Sequence, residues 1–338
     1  MKLLCSINED REEVAFRESG LAEGHELLFQ RGPVTPSTIP AEAGEVELLT
    51  VFVDSVINAE VLAQFPQLKL VATRSTGFDH IDLATCKERG IVVSNVPTYG
   101  ANTVAEHAFA LLLSLSKRVF DGYEQVREGR GFNPHSLRGF DLMGKTIGIV
   151  GTGNIGRNAV AIAKGFSMKV LAFDVHPDQA YADEMGIRYT SLEELLEQSD
   201  VVSLHVPYIE ATHHLINCDT IELMKPGSVL INTARGPIVE TKALVHALKT
   251  GRLRGAGLDV LEEEGAVHDE AAFLEQAQGN PENIETMLAN HILIDHPQVI
   301  VTPHSAFNTD EALARISDTS IANIKSFVAG NPQNTIEA

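Results

Sequence analysis

The sequence predicts an α/β protein of two domains, each built on a parallel sheet. Three observations carry this. The chain has 338 residues, more than one hydrophobic core usually serves, which sets a prior of about two domains. Residues 2–100 alternate short apolar runs with helix-like segments, as parallel strands joined by helical crossovers do. Between Lys145 and Asp174, K-T-I-G-I-V-G-T-G-N-I-G-R closing on V-L-A-F-D spells one complete strand–helix–strand unit.

Taken in order, strands are expected at residues 2–7, 25–30, 48–53, 68–73 and 91–94, with helices such as 59–65 and 83–89 between them. The stretch 31–45, rich in Pro, Thr and Gly, is expected to be surface loop. The fourth strand runs into R-S-T-G-F-D-H-I-D, where Ser75, Thr76 and Gly77 make a small turn at a strand's carboxyl end. Ligands gather at such ends, and a carboxylate could sit on the amides of Gly77 and Phe78; the plainer reading is a loop capped by Asp79. A helix follows over 102–117, with Thr103 and Glu106 spaced as a capping box. Val104, Ala105, Ala108, Phe109, Leu111, Leu112, Leu113 and Leu115 cover nearly its whole circumference, so it must be buried all round. It is expected to cross between the domains and to form a subunit interface, the alternative being burial by its own chain.

The 146–150 run then meets Gly151, Gly153 and Gly156 in G-x-G-x-x-G spacing, and a second run, 170–173, ends on Asp174, eighteen residues past Gly156. In that setting Gly151 permits a tight turn, Gly153 admits a pyrophosphate to the backbone and Gly156 lets the helix pack on the sheet. The helix amino terminus offers N–H groups to the phosphates. Asp174 can accept from both ribose hydroxyls, and Val175 and His176 bring no cation for a 2′-phosphate. The expected cofactor is NAD.

Later strands over 201–206, 229–232, 256–260 and 299–301 end in H-V-P, N-T-A-R-G-P, G-L-D-V and T-P-H-S, all polar where a doubly wound sheet presents its ligand face. Residues 263–297 read as acidic and irregular with some helix, and 307–328 as a closing helix. A net charge of −20 argues against nucleic acid and anionic membrane as partners, so an anionic substrate needs a local cation. Cys5, Cys86 and Cys218 form no C-x-x-C pair, and no metal-ligand spacing stands out. The amino-terminal apolar run is too short for a signal peptide. A cytoplasmic location is expected.

Hydride chemistry needs a carboxylate anchor, a proton donor and something that tunes it. Arg235 offers a planar fork for a carboxylate. His304 is the side chain whose ordinary pKa suits reversible proton transfer, and Glu264 is a carboxylate that could fix its tautomer and keep it charged. Singly these are weak, because the chain has 13 histidines and Glu262-Glu263-Glu264 reads equally as a solvated acidic run.

Their order decides. The fingerprint with Asp174, then H-V-P, N-T-A-R-G, G-L-D-V-x-E-x-E and T-P-H-S-A-F, resembles the D-isomer-specific 2-hydroxyacid dehydrogenase family along essentially the whole chain, and most of all its D-lactate dehydrogenase branch. The resemblance implies two Rossmann- or flavodoxin-like domains with parallel sheets, the NAD-binding domain (100–302) inserted into a substrate domain made of 1–99 and 303–338. It implies Arg235, Glu264 and His304 as the catalytic residues. It assigns NAD contacts to Gly151, Gly153, Asn154, Ile155, Gly156, Asp174, His205, Val206, Pro207, Thr212, Thr233, Ala234 and Asp259, the last also supporting the site. Substrate contacts fall to Phe52, Thr76, Gly77, Phe78, Tyr99 and Phe307. Tyr99 is followed by Gly100-Ala101 where the lactate branch has Ser-Pro or Asp-Pro, a departure at the pocket edge. The implied reaction is reversible NADH-dependent reduction of a small 2-keto acid, pyruvate first, to the D-2-hydroxy acid by a homodimer whose domains close about residues 99 and 300. The alternatives are the same chemistry on a branched-chain acid, glyoxylate or hydroxypyruvate, and an NADH-sensing protein like the C-terminal-binding corepressors.

Overall fold

The computed structural model describes residues 1–264 and 281–336. The chain divides into two compact units, Met1–Tyr99 with Asn308–Ala338, and Gly100–Phe307. In the first unit β1 (Lys2–Ile7), β2 (Glu26–Arg31), β3 (Leu48–Val51), β4 (Leu70–Thr73) and β5 (Val92–Ser94) form a wholly parallel sheet in the order β2-β1-β3-β4-β5. β3 and β4 are buried along their whole length, which is why they read as continuous apolar runs instead of alternating ones. Helices α1 (Asp10–Glu18), α2 (Ala59–Ala63) and α3 (Leu83–Glu88) make the crossovers. Asp82 caps α3 by accepting from the Thr85 amide at 2.9 Å, so the cap is Asp82 and not Asp79.

The second unit opens with α4 (Ala101–Lys117) and α5 (Val119–Arg127). It continues through β6 (Thr146–Val150), α6 (Asn154–Gly165), β7 (Lys169–Phe173), α7 (Gln179–Met185), β8 (Arg188–Tyr189), α8 (Leu192–Gln198) and β9 (Val201–Leu204). Then come α9 (Cys218–Leu223), β10 (Ser228–Asn232), α10 (Thr241–Lys249), β11 (Leu253–Leu258), α11 (Pro281–Ile294) and β12 (Val299–Val301). The sheet is parallel, in the order β12-β11-β10-β9-β6-β7-β8. Side chains alternate across it. Ile147, Ile149, Val229 and Ile231 face a core shared with α4 and α6, while Val150, Leu204, Leu230 and Leu258 face one shared with α8 to α10. Each such aliphatic side chain contributes about 1.5–3 kcal/mol of burial. The chain then returns to the first unit as α12 (Asp310–Val328), and the Ile336 amide donates to Val93 at 2.9 Å. The first unit is thus interrupted in sequence by the second.

The structure corrects several expectations. The return to the first unit falls after Phe307, later than the expected 302/303 junction, because the Ser305 and Ala306 amides both donate to Asp259 of the second unit, at 2.9 and 2.8 Å. α4 packs within its own unit on α6, β10, β11 and β12, which accounts for the burial of Val104, Ala105, Ala108, Phe109, Leu111 and Leu112. The capping box does not form: α4 starts at Ala101 behind Gly100 without a side-chain cap, and Thr103 is buried in the first turn. The 31–45 stretch is not all surface, since Val34 is fully buried and its amide donates to Ser55 Oγ at 3.1 Å. Of the segment read as irregular, 281–294 is helix, and 265–280 lies outside the described residues. Among the described residues no helix is long and apolar enough to cross a membrane.

Candidate active site

Register alone brings most of the motifs together. In the second sheet Phe173 pairs with Val150, Val150 with Leu204, Leu204 with Asn232, Asn232 with Leu258 and Leu258 with Val301. These are the last residues of their strands, so the next row along the sheet edge is Asp174, Gly151, His205, Thr233, Asp259 and Thr302. The ladder continues into that row through Gly151 N to Phe173 O at 2.8 Å, His205 N to Val150 O at 2.7 Å, Asp259 N to Asn232 O and Thr302 N to Leu258 O, both at 2.9 Å. At about 4.8 Å between neighbouring strands, the row spans about 24 Å.

One end of the row is a dinucleotide cradle. Gly151 turns at φ +93°, and a Cβ there would lie 2.7 Å from the His205 carbonyl oxygen. A Cβ on Gly156 would lie 2.0 Å from the Gly151 carbonyl oxygen, so only glycine lets α6 sit this close to β6. At Gly153 a Cβ would meet no protein atom within 4 Å. The backbone at the start of α6 is therefore open, with the first-turn amides of Asn154 and Ile155 beside it. Asp174 accepts from the Thr152 amide (2.7 Å), the Thr152 hydroxyl (2.8 Å) and the His176 amide (2.9 Å). Burial opposes its charge, but these donors outweigh burial and hold the carboxyl below its ordinary pKa. The carboxylate is thus a fixed anion at the end of β7. Val175 and His176 beside it are exposed.

Along the row, burial pushes His205 down to about 4, so its ring is neutral near pH 7; Nε2 lies 2.9 Å from Ser203 Oγ. Among the described residues, His205 Nδ1 and the Thr233 hydroxyl are buried without a partner. Orphaned polar atoms at a ligand edge fit a bound dinucleotide with its own donors and acceptors. Val206 and Pro207 follow His205, and Thr212 closes their loop by donating to the Pro207 carbonyl at 2.7 Å. The Thr233–Ala234–Arg235 turn is clamped by buried Asn232, whose Oδ1 accepts from the Ala234 amide (3.0 Å) and whose Nδ2 donates to the Arg235 carbonyl (2.9 Å). Arg235 Nη1 donates to the Ala234 carbonyl at 2.9 Å, beginning the fork's orientation.

The other end holds the titratable groups. His304 Nδ1 lies 2.8 Å from Glu264 Oε1, a hydrogen-bonded pair made by residues 40 apart in sequence. His304 has φ +51°, the left-handed region. Asp259, 1% exposed, supports it: its carbonyl accepts from the His304 amide (2.8 Å) and its carboxylate from the Thr302 hydroxyl (2.5 Å) and the Ser305 and Ala306 amides. His107 Nε2 on α4 lies 3.0 Å from the Thr302 hydroxyl and 3.3 Å from Asp259 Oδ1. Burial works against the Asp259 charge, yet His107, Thr302 and the two amides keep its pKa below the ordinary value.

The first unit presents the remaining candidates at its own strand ends. Phe52, half-buried, follows β3. After β4, Thr76 donates to the Val96 carbonyl (2.7 Å), Ser75 to the Gly77 carbonyl (2.6 Å) and Asn95 to the Thr76 carbonyl (2.8 Å). The loop's carbonyls are occupied, while the Gly77 and Phe78 amides donate to no acceptor among the described residues. Tyr99 is half-buried, and its carbonyl accepts from Arg315. Phe307, also half-buried, ends the second unit.

Sequence reasoning passed over four contributors. Thr152, inside the glycine motif, and Asn232, inside N-T-A-R-G, were within quoted motifs. Glu262 read as part of a solvated run, yet its carboxylate accepts from the Thr241 amide (2.7 Å) and hydroxyl (2.6 Å) and meets His214 Nε2 at 2.6 Å, while its carbonyl accepts from Asn290 (2.6 Å). This ties down the segment leading to Glu264. His107, the one imidazole on α4, was the signal available for the fourth.

Residues 109–306 match the family described as D-isomer specific 2-hydroxyacid dehydrogenase, NAD binding domain. A 2-hydroxyacid dehydrogenase homolog of Zymomonas mobilis is 38% identical over 91% of this chain and 91% of its own length. A glyoxylate reductase of Korarchaeum cryptofilum is 35% identical over 92% and 89%. The D-lactate dehydrogenase of Aquifex aeolicus, solved with NAD and lactic acid, superposes with a TM-score of 0.85 at 38% identity, over 98% of this chain and 96% of that one. The chain belongs to the D-isomer-specific 2-hydroxyacid dehydrogenase family. It is an NAD-dependent oxidoreductase.

Proposed function

We propose that this enzyme reversibly reduces a small 2-keto acid, pyruvate first, to the D-2-hydroxy acid. The observation that carries the reading is the strand-end row, with the Asp174 cradle at one end and the His304–Glu264 pair, 2.8 Å apart, at the other. Bound NADH supplies the hydride for the substrate's C2. The chain's own residues do the rest. Arg235 takes the substrate carboxylate and polarises the neighbouring ketone. Protonated His304 gives its Nε2 proton to the ketone oxygen as that oxygen gains charge, and Glu264, on Nδ1, holds the ring's orientation and favours its charged form. In the reverse direction neutral His304 takes the hydroxyl proton. Thr76, Gly77, Phe78, Phe52, Tyr99 and Phe307 are proposed as substrate contacts, the two loop amides serving the carboxylate. Asn154, Ile155, Val206, Pro207, Thr212, Thr233, Ala234 and Asp259 are proposed to meet the cofactor beside the glycines, Asp174 and His205.

The resemblance of the whole chain to a D-lactate dehydrogenase supports pyruvate, and the glyoxylate reductase relative supports glyoxylate as the second reading. NADH oxidation with glyoxylate, pyruvate, 2-ketobutyrate, 2-ketoisocaproate, phenylpyruvate and hydroxypyruvate separates them: the highest kcat/KM should fall on pyruvate, and an optimum on another acid would keep the mechanism and change the substrate. Arg235→Gln should lower kcat/KM for the best acid by about 10²-fold or more; a loss of only a few-fold would remove Arg235 from the mechanism. We also propose a cytoplasmic homodimer. The three cysteines are unpaired, in keeping with a reducing compartment. Val119, Phe120, Tyr123 and Val126 are exposed on α5, an apolar face suited to a second copy. Sedimentation at micromolar concentration should report twice the chain mass.

A further inference from the structure

We propose that His107 is a positioning residue for His304, acting through Asp259 and Thr302. This rests on the reading of His304 as the proton donor. His304 occupies the left-handed region at φ +51°, a backbone conformation that a residue with a Cβ adopts only when its surroundings hold it there. What holds it is Asp259. The His304 amide donates to the Asp259 carbonyl at 2.8 Å, and the next two amides, Ser305 and Ala306, donate to opposite carboxylate oxygens at 2.9 and 2.8 Å. The aim of the His304 ring therefore depends on where the Asp259 carboxylate sits.

The carboxylate is fixed from its other side by α4. The Thr302 hydroxyl has one proton, and it is committed to Asp259 Oδ1 at 2.5 Å. The contact between Thr302 Oγ1 and His107 Nε2, 3.0 Å, must then be made by a proton on His107 Nε2, and the same proton reaches Asp259 Oδ1 at 3.3 Å. His107 is thus a fork that donates to both members of the Thr302–Asp259 pair and fixes the direction of the Thr302 hydroxyl. Its own position is set by the buried faces of α4, where Val104, Ala105, Ala108 and Leu111 are packed on either side of it in sequence. A helix anchored in the core is a rigid reference for a loop that must carry its histidine in a disfavoured conformation. Without the His107 donor, Asp259 loses one of its partners and Thr302 its orientation, and the His304 ring is free to drift from Glu264 and from the reacting oxygen. A drift of about 1 Å is enough to cost a large factor in proton transfer.

The test compares His107→Leu, which removes the donor, with His107→Gln, whose side-chain amide restores one at nearly the same reach. The wild type, both variants and His304→Gln are assayed for keto-acid reduction and NADH affinity, and the side-chain resonances of ¹³C/¹⁵N-histidine-labelled protein are recorded. The peak missing from His304→Gln is the His304 ring. The expected result is a kcat lower by about 10- to 100-fold in His107→Leu, NADH affinity within about two-fold of wild type, a displaced His304 resonance, and recovery of both rate and resonance in His107→Gln. The proposal is overturned if the His304 resonance of His107→Leu stays where the wild type has it, or if the Leu and Gln variants lose rate alike. The outcome for the reading of the site is separate: a His304→Gln variant as active as wild type would refute His304 as proton donor, and the ring's resonance would still decide whether His107 positions it.

Discussion

The two ends of the strand-end row in the NAD-binding unit are built differently. At the cofactor end Gly151, Thr152, Gly156 and Asp174 lie within one strand–helix–strand unit, and the bonds that hold Asp174 come from Thr152 and His176 nearby. At the chemical end His304 is held by Glu264 and Asp259 from one segment and, through Thr302, by His107 from another, both far from it in sequence. The first end works by steric permission: it is shaped by where side chains are absent. The second works by polar placement, each group waiting on a donor or acceptor from another element. The first should therefore fail through clashes and lose cofactor, and the second through lost hydrogen bonds and lose rate.

The largest effect expected from this contrast is at Gly156. A Cβ there meets backbone, not a movable side chain, so Gly156→Val should abolish measurable NADH binding and cost about 3 kcal/mol of stability, read by fluorescence titration and thermal unfolding. His304→Gln comes next. It should lower kcat by at least about 10²-fold while NADH affinity stays within a few-fold; comparable loss of both would erase the division between the ends. Asp174→Ala should weaken NADH by about 10-fold or more, the size of losing a charge-assisted acceptor, with a smaller effect on NADPH, so that the preference between the two narrows.

The smallest effect on turnover, and the most specific in pH, belongs to His205, midway along the row. Its folded pKa is about 4 against an ordinary 6.5. Between those values the unfolded chain binds a proton that the folded one refuses, so stability falls as the pH drops from about 6.5 to 4 and the loss then levels off, reaching at most about 3 kcal/mol. Denaturant unfolding from pH 7.5 to 4.5 should show this slope in the wild type and a shallower one in His205→Gln. Asp174 and Asp259, both with lowered folded pKa values, stabilise the fold above the ordinary carboxylate pKa and lose that contribution only in more acidic solution, outside this window.

The same division explains what the sequence made legible. The cofactor cradle could be read because its parts are contiguous, and the strands because those buried on both faces are runs of aliphatic residues between turns. Arg235 and His304 were visible only as polar residues after strands and Glu264 only as part of an acidic run, and their order in the chain, not their chemistry, brought them together. Asp259 illustrates the limit: its place after a strand was plain, but four partners on one buried carboxylate are a property of the folded loop. His107 and Glu262 were missed for one reason. A histidine in an apolar helix and a glutamate in an acidic run gain their meaning from a partner whose sequence position is unrelated to theirs. The circumference of α4 is legible in a different sense, since apolar side chains record that a helix is covered without recording by what.

The most direct measurement is the product formed from pyruvate and NADH, resolved on a chiral column and compared between the wild type and His304→Gln. D-lactate from the wild type, at a rate at least about 10²-fold above that of the variant, is the expected result. L-lactate, no turnover of pyruvate or any other 2-keto acid, or equal rates in the two proteins would contradict the account.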